Sequence, residues 1–199
     1  STLSSSSAAS DVYKRQRAPR TTKRSATSCC LPTQMYVCSE SSQSECTRMV
    51  GLMNNALELH KISVSDMDNN CYLLCAGEEA LLIDASADAP ALLSLAADNG
   101  VKITSVLTTH RHWDHVRALK EVLDTTGAVH YASFLDSPAL PAPVDVELEH
   151  GDTLPFAGFD LPVIILRGHT PGGAAVAAEI DGVTNLFVGD SLFPGGVGK

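Results

Sequence analysis

The strongest constraint on this chain is a run of six residues, His110-Arg111-His112-Trp113-Asp114-His115, placed directly after an apolar stretch at 103–108. That stretch is short and apolar, which predicts a buried strand. The run then leads into a segment at 116–125 with Leu119, Val122 and Leu123 at helical spacing and Gly127 beyond it, which predicts a helix. Side chains leaving a strand end sit on a rigid scaffold yet reach solvent, which is where sites are built. The i, i+2 spacing of His110 and His112 lets both imidazoles face one cation. Asp114 and His115, entering the helix, can turn toward a second point a few ångströms away. Neutral imidazole and carboxylate oxygen suit Zn²⁺ or Fe²⁺. A single loop histidine is ordinarily a solvated side chain, but three with an aspartate at one strand–helix junction read as a metal-binding set.

The rest of the chain must supply a fold that presents this loop. Residues 57–64 alternate apolar and polar, as a half-buried strand does. Residues 71–75 and 80–83 are apolar runs around Ala76-Gly77-Glu78-Glu79, a hairpin. Residues 90–99 predict a helix ended by Gly100. Strands are expected at 129–132, 146–149 and 161–166, with a helical turn at 133–137 and turns at 150–152 and 156–158. A second hairpin is expected over 174–180 and 185–188 across Asp181-Gly182. Strands first, then strand–helix alternation, then strands again imply an α+β class with a two-sheet core and helices outside.

Charge divides the chain in two. Residues 1–48 hold seven Lys+Arg against three Asp+Glu, and residues 49–199 hold seven against twenty, which together give the net −9. An acidic domain is a poor partner for phosphate backbones, so no nucleic acid is expected. No run of about 18 uncharged apolar residues exists, so no membrane span is expected. Residues 1–48 contain twelve Ser and no apolar periodicity, a composition that cannot build a core. They are expected to be a disordered, non-native leader. Asp11-Val12-Tyr13-Lys14-Arg15-Gln16 reads as the translation of a transposase mosaic-end adaptor, a simpler account than a transit peptide. A domain at 49–199, with a natural start at Met49 or Met53, is the expected organisation. Its two cysteines, Cys71 and Cys75, lie four apart on one strand, roughly 13 Å along it, too far for a disulfide. Buried free thiols suit a reducing, cytoplasmic setting.

Two further loops join the first motif. Gly168-His169-Thr170-Pro171-Gly172-Gly173 follows the strand at 161–166, and Gly189-Asp190-Ser191 follows the strand at 185–188. Each alone is weak, since histidines and aspartates are common in turns. With His110-x-His112-x-Asp114-His115 they are specific. From about Leu57 to Lys199 the chain resembles the metallo-β-lactamase-fold hydrolases, and the Thr109 and Trp113 setting is similar to the glyoxalase II-like (hydroxyacylglutathione hydrolase-like) branch. The resemblance implies an αββα sandwich with its site at one sheet edge. It implies that His110, His112 and His169 hold a first metal, that Asp114 and His115 hold a second, and that Asp190 bridges both. Asp84, at the end of Leu82-Ile83, is implied as a structural support.

The implied cofactors are two divalent ions, Zn²⁺ first, with Fe²⁺ or Mn²⁺ as alternatives. The implied reaction is hydrolysis of an ester or thioester carbonyl of a small-molecule substrate by a metal-bridging hydroxide, with Asp114 orienting it. Two other readings stand beside it. One is a mononuclear iron persulfide dioxygenase of the same fold using His110, His169 and Asp190. The other is an inactive fragment, because the family supplies one more second-site histidine well after the Asp190 position and the sequence stops nine residues later. The second half of the sandwich is therefore expected to be incomplete. The family's glycines after the Asp-His pair are replaced here by Val116-Arg117-Ala118. Of the remaining residues, His60 and His130 read as structural, His150 as surface, Phe156 and Phe159 as packing, and Arg111 and Arg117 as solvated. Trp113 fits either a wall of the site or helix–sheet packing.

Overall fold

A computed structural model describes residues 56–199, so the expected leader at 1–48 lies outside the described residues. Strands β1 (Glu58–Val64), β2 (Asn69–Ala76) and β3 (Glu79–Ile83) form an antiparallel meander. Beside β3 run β4 (Lys102–Thr108), β5 (Val129–Ser133) and β6 (Val146–Leu148), all parallel to it, giving a six-stranded sheet in sequence order. The parallel pairs need crossovers. Helix α1 (Ala89–Asp98) links β3 to β4, and helix α2 (Leu119–Thr126) links β4 to β5.

The second sheet is antiparallel, in the order β10-β9-β8-β7, from β7 (Thr153–Phe156), β8 (Phe159–Leu166), β9 (Gly173–Ile180) and β10 (Val183–Phe187). A small hairpin, β11 (Leu192–Phe193) with β12 (Gly196–Val197), follows.

The period-2 alternation of the strands explains the layering. On β2 and β3, Cys71, Leu73, Cys75, Ala80 and Leu82 point to one face and pack with Leu92, Ala96, Leu119 and Val122 of the helices. Tyr72, Leu74, Ala76, Leu81 and Ile83 point to the other face and pack with Leu154, Leu161, Val163, Val176 and Phe187 of the second sheet. Residues of β2 are buried throughout because both faces are covered. On β4 the alternation slips. Ile103 and Val106 face the helices while Leu107 faces the second sheet, because the β3–β4 register shifts between Ala80 and Leu81 and leaves one extra residue on β4. The result is a two-sheet sandwich with helices on the outer face of the six-stranded sheet. Among the described residues no helix covers the outer face of the four-stranded sheet.

The expected elements are present with four differences, one being the β11–β12 hairpin, where no strand was expected. The helix after the histidine run begins at Leu119, not at 116. A 3₁₀ turn occupies Trp113–His115, and Val116 then leaves helical geometry with φ −131°. Its neighbour Ala118 donates its N–H to Ala85 O at 3.0 Å, tying the segment to the loop after β3. Strand β7 was not expected, because Pro155 interrupts its pattern; it lies at the sheet edge, where proline is tolerated. The helical turn expected at 133–137 forms later, as a 3₁₀ turn at Ser137–Ala139. Among the described residues no helix is long and apolar enough to cross a membrane.

Cys71 and Cys75 are free and buried, as the spacing implies. Burial pushes both thiols up to about 11, so they remain protonated at neutral pH. Neither should be alkylated by iodoacetamide at pH 7.5 until the chain is unfolded, as read by peptide mass mapping. Leu81, fully buried between the sheets, should cost about 2–5 kcal/mol on truncation to alanine, measured by urea unfolding.

Candidate metal centre

The C-terminal ends of β3, β4 and β5 lie along one edge of the first sheet because these strands are parallel. The chain after β3 turns at Asp84, whose φ of +60° is left-handed, a region that aspartate enters more readily than most residues. Its own N–H stays paired with Leu107 O at 2.9 Å. The turn aims the carboxylate, 2% exposed, at the end of β4. There Oδ1 accepts the Thr109 N–H and Oδ2 accepts the Thr109 hydroxyl, both at 2.7 Å. Oδ2 also accepts from His115 Nδ1 at 2.8 Å.

These bonds fix the imidazoles. The Thr109 hydroxyl hydrogen is committed to Asp84, so the 3.0 Å contact from Thr109 Oγ1 to His110 Nδ1 requires the proton on Nδ1. The lone pair of His110 is then on Nε2, which is buried and has no hydrogen-bond partner among the described residues. His169 repeats the arrangement. Its Nδ1 donates to Lys199 O at 2.7 Å, and its buried Nε2 likewise has no partner. The ring centroids of His110, His112 and His169 lie 4.5 to 5.0 Å apart, and one nitrogen from each comes within 4.8 Å of the others. Orphaned buried acceptors are rare and call for an explanation such as an ion. A set of converging imidazole lone pairs fits a divalent cation of the zinc, iron or manganese kind.

Beside this trio is a carboxylate-rich pocket. His115 Nε2 lies 3.3 Å from Asp190 Oδ1 and 3.7 Å from Asp114 Oδ2. Asp190 Oδ2 is 3.7 Å from His169 Nε2, so one carboxylate spans both groups. Asp84, His110 and His115 also lie close enough to form a ligand set, but both Asp84 oxygens are occupied by hydrogen bonds. Those bonds suit Asp84 to the supporting role that the resemblance implies. Electrostatics separate the two groups. Burial, aided by the charge of nearby His115, lowers His110 to about 4, and burial lowers His112 as well; both are neutral acceptors at pH 7. Burial works the same way on His115, but the flanking carboxylates of Asp84 and Asp190 outweigh it and raise that imidazole to about 10. A cation taking its Nε2 therefore has to displace a proton. Burial would raise the Asp190 carboxyl, but the hydrogen bond and charge of His115 bring it below its usual range.

Asp190 reaches this position because the turn Gly189–Ser191 after β10 packs on the histidine loop. Gly189 has φ +51°, and a Cβ there would lie 2.5 Å from Thr109 Oγ1 and 3.3 Å from His110 Nδ1. Only glycine permits that approach. On the other side, Gly198 of the β11–β12 hairpin backs directly onto Asp190 O and His169.

All six residues expected as ligands, His110, His112, Asp114, His115, His169 and Asp190, are thus brought to one place. Sequence reasoning missed Asn69. Its side-chain amide donates to Asp114 Oδ2 at 3.0 Å and lies 3.4 Å from His115 Nε2. It stands at the start of β2, and no local pattern links it to residues 45 positions away. Val116 and Ala118, in place of the expected glycines, are buried against the helix-side core. Trp113 is 62% exposed, neither core packing nor an enclosed wall, and carries the Arg117 guanidinium 4.9 Å above its ring. His130 is buried and bonded to Thr108 Oγ1 and Pro143 O, so it is structural. His150 sits at the surface and accepts from Ile165 N.

A sandwich of two sheets with a His/Asp cluster at one edge defines a class, and sequence comparison agrees with it. Residues 64–199 match the family model of the metallo-beta-lactamase superfamily, and the chain belongs to that superfamily. It is 37% identical over 134 residues to a hydroxyacylglutathione hydrolase of Fuscovulum blasticum, covering 66% of this chain and 51% of that protein. It is 38% identical over 135 residues to the enzyme of the same name from Gloeobacter violaceus, covering 66% and 52%. The chain therefore spans about half the length of the curated relatives it matches. Among solved structures, TTHA1623 in a di-iron-bound form is similar at 30% identity and TM-score 0.60, covering 70% of this chain and 76% of that one. The B3 metallo-beta-lactamase BLEG-1 shares the fold at 24% identity and TM-score 0.64, covering 71% and 76%. ETHE1 from Myxococcus xanthus shares it at 24% and 0.62, covering 71% and 61%. This fold implies divalent metal binding, and the histidine cluster fits it.

Asp84→Asn keeps the size of the side chain but removes an acceptor from a site with three donors. It should weaken metal binding at the His115 side by about 10–100-fold, with a smaller effect at the three-histidine group. Stepwise metal titration of chelator-treated protein would show this, and equal losses at both groups would count against the assignment.

Proposed function

We propose that this chain carries the metal-binding portion of a hydrolase that cleaves an ester or thioester carbonyl of a small molecule. In this reading His110, His112 and His169 hold one divalent ion, Asp114 and His115 hold a second, and Asp190 spans the two. The observation that carries it is the pair of buried Nε2 atoms of His110 and His169, without a hydrogen-bond partner among the described residues and both belonging to one cluster. Such orphans cost roughly 1–3 kcal/mol each if nothing binds them.

Divalent ions held by these residues would lower the pKa of a bound water toward neutrality and would polarise the substrate carbonyl. The chain's own groups do the rest. Asp114 is positioned by the Asn69 amide and can orient the attacking water and accept its proton. Asp84 holds His115 through Nδ1 and leaves its Nε2 for the cluster. Thr109 fixes the tautomer of His110. Exposed Trp113, next to Asp114 in the chain and carrying the Arg117 guanidinium 4.9 Å from its ring, is a candidate apolar and cationic surface for an incoming acyl compound. Zinc is the first choice of metal on the mixed imidazole–carboxylate donor set. The similar di-iron-bound structure makes iron the main rival.

The mononuclear dioxygenase reading needs only His110, His169 and Asp190. It leaves the Asp114–His115–Asn69 arrangement without a purpose, so the dinuclear hydrolase is preferred. The full chain should be assayed, with small acyl thioesters and esters as substrates. About two metal ions per chain are expected. His110→Ala and His169→Ala should each lose the first ion and all turnover. Asp114→Asn should lower kcat about 10²–10⁴-fold. One iron per chain with oxygen uptake on a persulfide would replace this reading with the dioxygenase, and a protein that binds no divalent metal would end both.

A further inference from the structure

We infer that Asp136 is a positioning residue for the three-histidine group, fastening the His110–His112 loop to the His169 loop through its two carboxylate oxygens. This rests on the metal-centre reading above and adds a residue which that reading does not use. Asp136 follows β5, is 1% exposed, and contributes no atom to the cluster of ligand candidates. Its side chain does not cap its own turn. Instead Oδ2 accepts the N–H of Arg111, at 3.2 Å, and Oδ1 accepts the N–H of Gly172, at 3.1 Å. Arg111 stands between His110 and His112, and Gly172 lies three residues after His169. One buried carboxylate therefore bonds to the backbone of both loops that carry the trio, 25 residues away in one direction and 36 in the other.

Two other features are consistent only with a close fit here. A Cβ on Gly172 would lie 2.5 Å from Ser133 Oγ and 2.6 Å from Leu135 Cβ, so the His169 loop presses against the Asp136 segment with no room for a side chain. The Arg111 guanidinium Nε stands 4.0 Å from Asp136 Oδ1, which places a compensating charge beside the buried anion. The two donors approach different oxygens. A carboxylate satisfies both; an amide of the same shape satisfies one and turns its own N–H toward the other donor. Three imidazoles from two loops converge on one ion only if the loops are held at a fixed separation. Changes to groups that orient metal ligands typically cost 10–100-fold in affinity.

The test is cobalt(II) titration of the chelator-treated full chain, read by its visible d–d bands, for wild type, Asp136→Asn, Asp136→Glu and Asp145→Asn. Asp145 is the control. Its carboxylate also accepts a backbone N–H, that of His130, at 2.8 Å, but outside the metal loops. Thermal melting of each chelator-treated protein supplies the stability scale. The expected result is an Asp136→Asn affinity at least tenfold below wild type with altered band intensities, partial recovery in Asp136→Glu, and wild-type affinity in Asp145→Asn at comparable melting temperature. Wild-type affinity in Asp136→Asn would overturn the inference, as would a loss matched by Asp145→Asn at equal destabilisation. If Asp136→Asn does not fold, Asp136→Glu is judged alone: affinity reduced at an unchanged melting temperature supports the inference, and unchanged affinity overturns it. A wild type that binds no cobalt would remove the metal-centre reading and this inference together, an outcome distinct from unchanged variants.

Discussion

The metal centre depends on the carboxylate of Asp84. Three donors meet its two oxygens: the backbone N–H and the hydroxyl of Thr109, and Nδ1 of His115. Burying a carboxylate is costly unless its lone pairs are satisfied, and here they are satisfied by the groups that must be held still. Through Thr109 the same carboxylate decides which nitrogen of His110 carries the proton. Through His115 it raises the charge preference of an imidazole at the centre of the cluster. The left-handed turn at Asp84 is the local strain through which the end of β3 reaches the end of β4.

Around that centre the loops are joined by backbone contacts as well as by the carboxylates of Asp84 and Asp136. Ala174 N donates to Thr109 O at 2.7 Å, tying the start of β9 to the end of β4. Gly189 and Gly172 allow the Asp190 and His169 loops to approach more closely than any Cβ would permit. The two sheets therefore meet at this edge through a compact set of main-chain contacts. The imidazole Nε2 atoms of His110 and His169 are left inside it without a hydrogen-bond partner among the described residues. Among the described residues four buried side-chain polar atoms lack a hydrogen-bond partner, the others being Ser86 Oγ and Thr170 Oγ1. The two imidazole nitrogens, facing one cluster, are consistent with a site whose missing partner is a ligand.

The sequence was informative where chemistry and local pattern coincide. The histidine run, the two later loops and most strands could be read from residue types and spacing, because ligand identity and period-2 burial are local properties. The reading failed where a tertiary contact decided local conformation. Val116 leaves helical geometry and Ala118 bonds to Ala85 O, which delays the second helix to Leu119. Pro155 hid an edge strand whose partner β8 defines it. Asn69 gave no signal, since its link to Asp114 joins the start of β2 to a loop one hairpin and one crossover later.

By itself, then, the sequence determined which donors are present, that they fall at strand ends, and that the chain alternates layers in the manner of its superfamily. Only the tertiary structure decided how those donors are charged and aimed. The proton on Nδ1 of His110 depends on Asp84, 26 residues earlier in the chain, and the orientation of Asp114 on Asn69. Residue types specify what an atom can donate or accept. Which of those options is used depends on neighbours that the parallel ends of the sheet bring within 3 Å, and no spacing along the chain encodes that distance.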